Sequence, residues 1–508
     1  MKKRIRKRIA KDKARVQRRL AKAVRPGGEK PVLGARNIQY EISEKARAIN
    51  CGGIGAVHKM VTALGLVEDI DETIELLKMH RPYHESDHVL NIAYNVMCGG
   101  QVLEDIEIRR NDEKYLDALG TESIPDPTTA GDFCRRFSAA DVEDLQEVIN
   151  KSRLRVWQEQ DPGFFEGPAR IDADGSMVVT TGECKEGMDV SYKGTWGYHP
   201  LLVSLANTME PLYIVNRSGN RPSHEGAAEV FDKATALCRE GGFKEIILRG
   251  DTDFSLTSEF DRWTADDVKF VFGYDAMANM KQRADSIAEN EYEELVRRSE
   301  RALKTAPRQR PENVKERVVR ERQFENMRLD SEDVAEFPYR PTACKQDYRV
   351  VVVRKNLSVE KGEQVLFDKI RYFFYITNDW QMSAEKVIRE ACNRCNQENL
   401  IEQLKNGARA LHAPVNSLHA NWAYMAIAAL AWSLKAWMAL RLPISPRWKE
   451  KHLAERDQIL RMDFRTFLNA FIAVPCQIIR TARRIVYRLL SWNPYQHTFF
   501  RLLDAYET

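Results

Sequence analysis

The sequence predicts an α/β protein: a ribonuclease H-like core interrupted by an α+β insertion and flanked by helical N- and C-terminal domains. Three observations carry this. Apolar residues recur at spacings of three and four up to Gln158 and again after Gln381, the period of a helix. Between Ala169 and Asp275, β-rich runs joined by glycine and polar turns surround one amphipathic helix. From Met280 to Asp379 a charge-dense stretch ends in two strongly apolar runs. The central runs read strand, strand, strand, helix, strand, helix, strand. That is the element order of a ribonuclease H-like core, and several other α/β folds share it.

At 508 residues the chain exceeds what one core usually supports. The expected divisions are a basic segment over 1–36, a helical domain over 37–165, a core in two parts over 166–279 and 380–440, an insertion over 280–379 between them, and a helical domain over 441–508. The basic segment, "MKKRIRKRIAKDKARVQRRLAKAVR", holds one acid, Asp12, although the whole chain has a net charge of only +4. It reads as a solvated tail or as a helix with Ile5, Ile9, Val16 and Leu20 on one side, in either case able to neutralise phosphates.

In the helical domain, "IGAVHKMVTALGL" and "SDHVLNIAYNVMCGG" carry the helical period. Pro125 and Pro127 hold the chain extended, so that Thr128 or Thr129 is expected to cap a helix bearing Phe133, Arg135, Arg136 and Phe137. Those arginines suit a phosphate backbone or plain domain packing. The core strands follow in "ARIDADGSMVV", "GYHPLLVSLA" and "PLYIVNRSG"; a glycine-closed helix ends at Gly242, and "KEIILRGDTDF" and "VKFVFGYD" are further strands. In the insertion, 280–325 is expected to be helical and rich in arginine, broken by Pro307 and Pro311, before the strands "YRVVVVRK" and "KIRYFFYIT". Near the end, "IIRTARRIVYRLLSW" is expected to be a helix with Arg480, Arg484 and Arg488 along one face.

Composition narrows the function classes. An apolar fraction of 43% with 30% charged residues is that of a soluble globular protein, and without a signal peptide the cytoplasm is the expected compartment. The most apolar run, from Asn421 to Leu440, is broken by Ser433 and Lys435 short of the roughly 18 apolar residues of a membrane span, so a buried core helix is expected and no membrane partner. Nine cysteines in such a chain imply reduced thiols. Cys392 and Cys395 form a C-x-x-C pair, but no second pair supplies the remaining ligands of a zinc site, and packing is the better reading.

The carboxylates carry more. Asp172 and Asp174 lie two apart on a strand and so share a face, and an acid in mid-strand is costly unless solvated or bound. Asp251 and Asp253 close another apolar strand, at the end where α/β sheets place ligands. On the helix that follows, Arg394, Glu398, Glu402 and Lys405 line one face, with Leu400 and Leu404 opposite. Each motif taken alone also fits turn acids or an ion-paired helix. Together, two aspartates and a glutamate fit a hard, oxygen-liganding ion, Mg²⁺ or Mn²⁺, and two such ions about 4 Å apart suit phosphodiester cleavage and strand transfer. A glycosidase also uses paired acids, but abundant Arg and Lys favour a polyanionic substrate.

These motifs resemble the DDE transposases of bacterial insertion sequences, in the branch with a Tyr-Arg-Glu-Lys signature, and within it insertion-sequence group thirteen-eighty. The likeness rests on Arg394, Glu398 and Lys405 in the signature's spacing, "ENLIEQLKNG", "DADGSMVVTTG", "YKGTWGYHPLL", "LRGDTDF", "PDPTTAGDFCRRF" and "TARRIVYRLLSW", in order over nearly the whole chain. It implies that Asp174, Asp251 and Glu398 are the catalytic, metal-binding triad for Mg²⁺, with Mn²⁺ able to substitute. Asp172 and Asp253 become their neighbours. Arg394 and Lys405 become contacts to DNA, and Ala391 stands where the signature has its tyrosine. It further implies DNA binding by 37–165 and cut-and-paste transposition by a homodimer holding the element's terminal inverted repeats and target DNA, in the bacterial cytoplasm and on the nucleoid when DNA-bound. Trp380 is placed to hold a flipped base, with core packing the plainer expectation. A catalytically silent DNA-binding repressor or domesticated transposase, or a nuclease without strand transfer, is the rival reading.

Overall fold

A computed structural model describes residues 3–22, 39–41, 47–295, 313–361, 364–481 and 484–505. The arginine-rich stretch read as helical around Pro307 and Pro311 lies largely outside the described residues, as does the second half of the basic segment.

The first third is helical: α1 (Lys3–Lys22), a short strand β1 (Ala48–Ile49), α2 (Ile54–Ala63), α3 (Leu66–Thr73), α4 (Glu85–Met97), α5 (Ile106–Arg110), α6 (Glu113–Leu119), α7 (Pro127–Cys134) and α8 (Ala139–Gln158). The basic segment is thus a helix up to Lys22, with Ile9 buried and Leu20 exposed. Helix α7 is capped by Asp126, not by Thr128 or Thr129. Pro127 takes the first helical position, where its missing N–H costs nothing, and the Asp126 carboxylate accepts the Thr129 N–H at 2.8 Å.

Next come β2 (Ala169–Gly175), β3 (Val178–Val179), β4 (Asp189–Val190), β5 (Trp196–Tyr198), β6 (Leu201–Leu205), β7 (Glu210–Val215), α9 (Ala227–Gly241), β8 (Ile246–Gly250), α10 (Phe260–Ala265) and β9 (Val268–Tyr274). Helix α11 (Ala278–Ser286), β10 (Glu293–Glu294) and α12 (Val314–Glu321) lead to three long strands, β11 (Glu325–Tyr339), β12 (Tyr348–Lys361) and β13 (Gln364–Thr377). Strand β11 is acid-rich and not apparent from propensity; it exists because β12 pairs with it along its length.

Among the described residues nine of these strands form one mixed sheet in the order β10-β11-β12-β13-β9-β8-β2-β6-β7, and β3, β5 and β4 form a separate small sheet. Strand β2 is parallel to β8, which is parallel to β9, while β6 and β7 add antiparallel on one side and β13 on the other. The alternation of a strand assigns the two faces. Leu248, Phe270 and Phe272 join the main core that includes Phe231 of α9. Ile247 and Val271 point the other way, into a second cluster with Val387 and Ile388 of α13 (Ala384–Asn393). Because they share parity with Ile247, Arg249 and Asp251 belong to the α13 face.

After α13 come α14 (Asn396–Glu402), a wide π turn over Gln403–Gly407, α15 (Leu418–Leu440), α16 (Lys449–Leu460) and α17 (Phe464–Phe467). Helix α15 is long and apolar enough to cross a membrane by composition, and it is wholly buried here, as a core helix. It meets α8 and β7 at Glu210, which is fully buried. The Glu210 carboxylate accepts Arg153 Nε–H at 3.0 Å, Trp437 Nε1–H at 2.9 Å and Trp157 Nε1–H at 3.1 Å. This buried charge pair, hydrogen-bonded through both tryptophans, joins the helical layer to the edge of the sheet.

The expected helix over 478–492 is instead a hairpin, β14 (Cys476–Thr481) and β15 (Arg484–Leu489), completed as a three-stranded sheet by β1. Ile478, Ile479, Ile485 and Val486 are β-branched, and Cys476 and Ile478 alternate inward, which a strand accommodates better than a helix. Arg480, Arg484 and Arg488 therefore do not line a helix face; Arg480 pairs with Asp117 of α6 at 3.4 Å. Helix α18 (Gln496–Ala505) ends the chain.

Candidate active site

Strands β2 and β8 run side by side in parallel with Asp172 opposite Arg249. Two residues further along each, Asp174 and Asp251 come to the same edge of the same face, and each raises the charge burden of the site. Burial pushes Asp174 up to about 6; Arg394 pulls against this, and Asp251 and Glu398 add to it. Burial raises Asp251 as well, with Arg394 opposing and Asp253 adding. Asp251 also accepts the Asp253 N–H at 3.1 Å, which caps the short turn Thr252–Phe254 and fixes the carboxylate at the strand end.

The two acids two residues apart on β2 have different fates. Asp172 is 1% exposed and forked by Arg249, Nε to Oδ1 at 2.6 Å and Nη2 to Oδ2 at 2.8 Å. Arg249 Nη1 reaches Glu390 on α13 at 2.8 Å, and Glu390 also accepts from Arg170. Asp172 is committed to this buried chain of charges, and Asp174, with its side chain 17% exposed, is left to face the opening.

Glu398 arrives by a fixed route. Its neighbour Gln397 is buried, accepts the Ser204 hydroxyl and donates Nε2–H to Leu202 O at 3.3 Å. Leu202 is the residue opposite Asp174 in the β2–β6 ladder. Gln397, Leu400 and Leu404 go into the core and leave Glu398 exposed beside the strand ends. The spacing predicts one continuous helix through Arg394, Glu398, Glu402 and Lys405, but the helix breaks at Arg394–Cys395 and ends in the π turn. At that break Arg394 turns inward, Nη1 3.5 Å from Asp174 Oδ2. Lys405 donates to Met177 O at 2.8 Å; burial lowers its pKa and Asp174 opposes this.

His199 and Gly175 complete the rim. A Cβ at Gly175 would stand 2.8 Å from the His199 ring, so this strand end tolerates only glycine while His199 keeps its bond to Arg221 O at 2.9 Å. Arg249, Gln397 and His199 are positions that sequence reasoning missed. For Arg249 a signal existed, since an arginine inside the apolar run "IILRG" demands a buried anion, and Asp172 is its complement.

The model of the family described as Transposase DDE domain group 1 matches residues 35–507. The chain belongs to this family of DDE transposases. No curated protein matches it. Among solved structures it is similar to that described as the cryo-EM structure of a piggyBac transposase synaptic complex with hairpin DNA, at 11% identity over 82% of this chain and 87% of that one, with a TM-score of 0.32.

DDE transposases typically use a divalent metal, and the donor chemistry of this transposase fits one. Asp174, Asp251 and Glu398 offer only carboxylate oxygen, the preference of a hard cation, and two of them are strained toward protonation by burial and mutual repulsion. A positive charge already stands among them, the Arg394 guanidinium. Among the described residues, the trio with ligand atoms all within 4.8 Å of one another lies elsewhere, at Asp71, His84 and Glu85. Trp380 is not core: it is 53% exposed, in the turn between β13 and α13 where Asp379 accepts the Gln381 and Met382 N–H groups. Ala391 and Cys392 pack at the edge of the cluster under α13, and Cys395 is exposed.

Proposed function

We propose that this transposase cleaves DNA at the ends of its own element and transfers the freed 3′-hydroxyl into target DNA, with Asp174, Asp251 and Glu398 as its catalytic carboxylates. The observation that carries this reading is the meeting of Asp174 and Asp251 at neighbouring parallel strand ends, with Glu398 in electrostatic reach. The order β7-β6-β2-β8-β9, with a three-strand antiparallel start and two parallel additions, supports a ribonuclease H-like arrangement of the core. The three carboxylates would hold Mg²⁺, or Mn²⁺, as a pair of ions, which would supply activation of the attacking water or 3′-hydroxyl and stabilisation of the leaving oxygen.

The chain's own groups do the rest. Arg394 balances the acids in their metal-free state and turns to the scissile phosphate when cations take over that role. Lys405, beside the same edge, holds a second phosphate. The helical domain over 37–165 and the basic helix α1 grip the element's terminal repeats, a homodimer pairs the two ends, and the work is done in the cytoplasm on the nucleoid.

The test is excision in a purified system. Wild-type protein with Mg²⁺ and a donor carrying the element's ends releases the element and joins it to target DNA. Glu398→Gln abolishes cleavage and retains end binding. Normal excision by that variant overturns the site; cleavage without joining by the wild type reduces the function to a nuclease.

A further inference from the structure

Far along the chain from the strand-end acids, the connection between α3 and α4 gathers a different set of donors. Asp71 lies in the last turn of α3, His84 and Glu85 open α4, and the ligand atoms of these three all lie within 4.8 Å of one another. His80 adds a second imidazole, stacked on His84 with centroids 5.0 Å apart. We propose that Asp71, His84 and Glu85, with His80 as fourth ligand, form a structural site for a divalent transition-metal ion of the Zn²⁺ class.

Glu85 points to the ligand. It is 1% exposed, and its Oε1 accepts the Leu76 and Leu77 N–H groups at 3.1 and 2.9 Å. Its Oε2 is buried and accepts no hydrogen bond; His80 Nε2 stands 3.3 Å from it. A buried carboxylate oxygen without a donor is costly, and a cation removes the cost. Asp71 is held in place from behind, accepting the Ser86 N–H and Oγ–H at 2.8 Å each. Four ligands about 2.1 Å from one ion lie roughly 3.4 Å apart, so only small side-chain movements close the set. Two carboxylates and two neutral imidazoles cancel the charge of a divalent ion. The nitrogen donors select zinc-like ions over Mg²⁺, the reverse of the all-oxygen set at the strand ends. His80 and His84 are exposed, which gives an ion a way in. Binding clasps residues 74–84 to both helices.

The site is tested on untagged full-length protein stripped with EDTA. Titrated Co²⁺ gives the visible bands of a tetrahedral N/O site, Zn²⁺ displaces it, and Zn²⁺ raises the Tm while Mg²⁺ does not reproduce the bands. His84→Ala abolishes both effects and keeps the metal-free Tm, because the side chain is exposed. Glu85→Gln, which retains the Oε1 contacts, weakens binding at least tenfold. Glu398→Gln and Cys392→Ser/Cys395→Ser bind as wild type does. No Co²⁺ bands in the wild type, or unchanged bands in His84→Ala, overturns the proposal.

Discussion

Asp174 stands ionised at neutral pH against its own preference. Its folded-state pKa of about 6 lies above the ordinary 3.8, so the folded chain holds this proton more tightly than the unfolded one. That contribution to stability is complete below the unfolded value and is lost as pH rises through about 6. At pH 7.5 without metal, Asp174→Asn is therefore expected to stabilise the fold by about 1–3 kcal/mol while abolishing DNA cleavage. Thermal unfolding in EDTA checks it, and a lower Tm would mean that the Arg394 contact outweighs the repulsion. Burial raises the Asp172 pKa as well, and the Arg249 fork opposes it and holds the carboxylate in its charged form. Arg249→Met strands its buried charge and is expected to cost about 3–5 kcal/mol in urea unfolding; adding Asp172→Leu recovers most of that. In sequence the two aspartates are alike. What separates them is an arginine 77 residues away, brought over by strand pairing that no local period encodes.

Helices and strands were legible where their periods differ and ambiguous where they coincide. Arg480, Arg484 and Arg488 are four apart, the spacing of a helix face; in the hairpin Arg484 and Arg488 share a face of β15 while Arg480, opposite Ile485 on β14, falls on the other, and only the β-branched density of the run favours the hairpin that forms. The apolar side of α14 was legible in Leu400 and Leu404, but the breaks on either side of it were not. Its anchor, Gln397, looks in sequence like one more polar residue of an exposed helix. With its side chain gone, the buried Ser204 hydroxyl loses its acceptor and Glu398 loses its tether. Gln397→Ala is expected to cost about 1–2 kcal/mol in stability and to slow cleavage by about tenfold with end binding intact. Single-turnover cleavage beside a gel-shift titration separates the two effects; equal loss of binding and cleavage would make Gln397 merely structural.

At the scale of the molecule, the succession of core strands and helices along the chain could be read from the sequence, whereas their order in the sheet and the joining of 325–377 to it could not, because those depend on pairings such as β13 with β9 in space. The burial of α15 was legible in its apolar run, whereas the way its lysine is accommodated was not. Lys435, which interrupts the apolar run, is fully buried, donating Nζ–H to Leu460 O at 2.8 Å and lying 3.7 Å from the Trp432 ring centroid. Burial lowers its pKa from 10.5 to about 7, with Asp463 opposing. The unfolded chain keeps this proton up to about 10.5 and the folded chain releases it near 7, so between those values unfolding takes up a proton and stability rises with pH. The penalty is fully in force below about 7. From pH 7 to 8.5 the gain from this lysine is expected to reach about 2 kcal/mol. Lys435→Met, of similar length and without a charge, should abolish that rise. Urea unfolding of both proteins at the two pH values measures it. Parallel slopes in the two would show that the lysine enters the core neutral at neither pH, and that the contact to Leu460 O carries its charge.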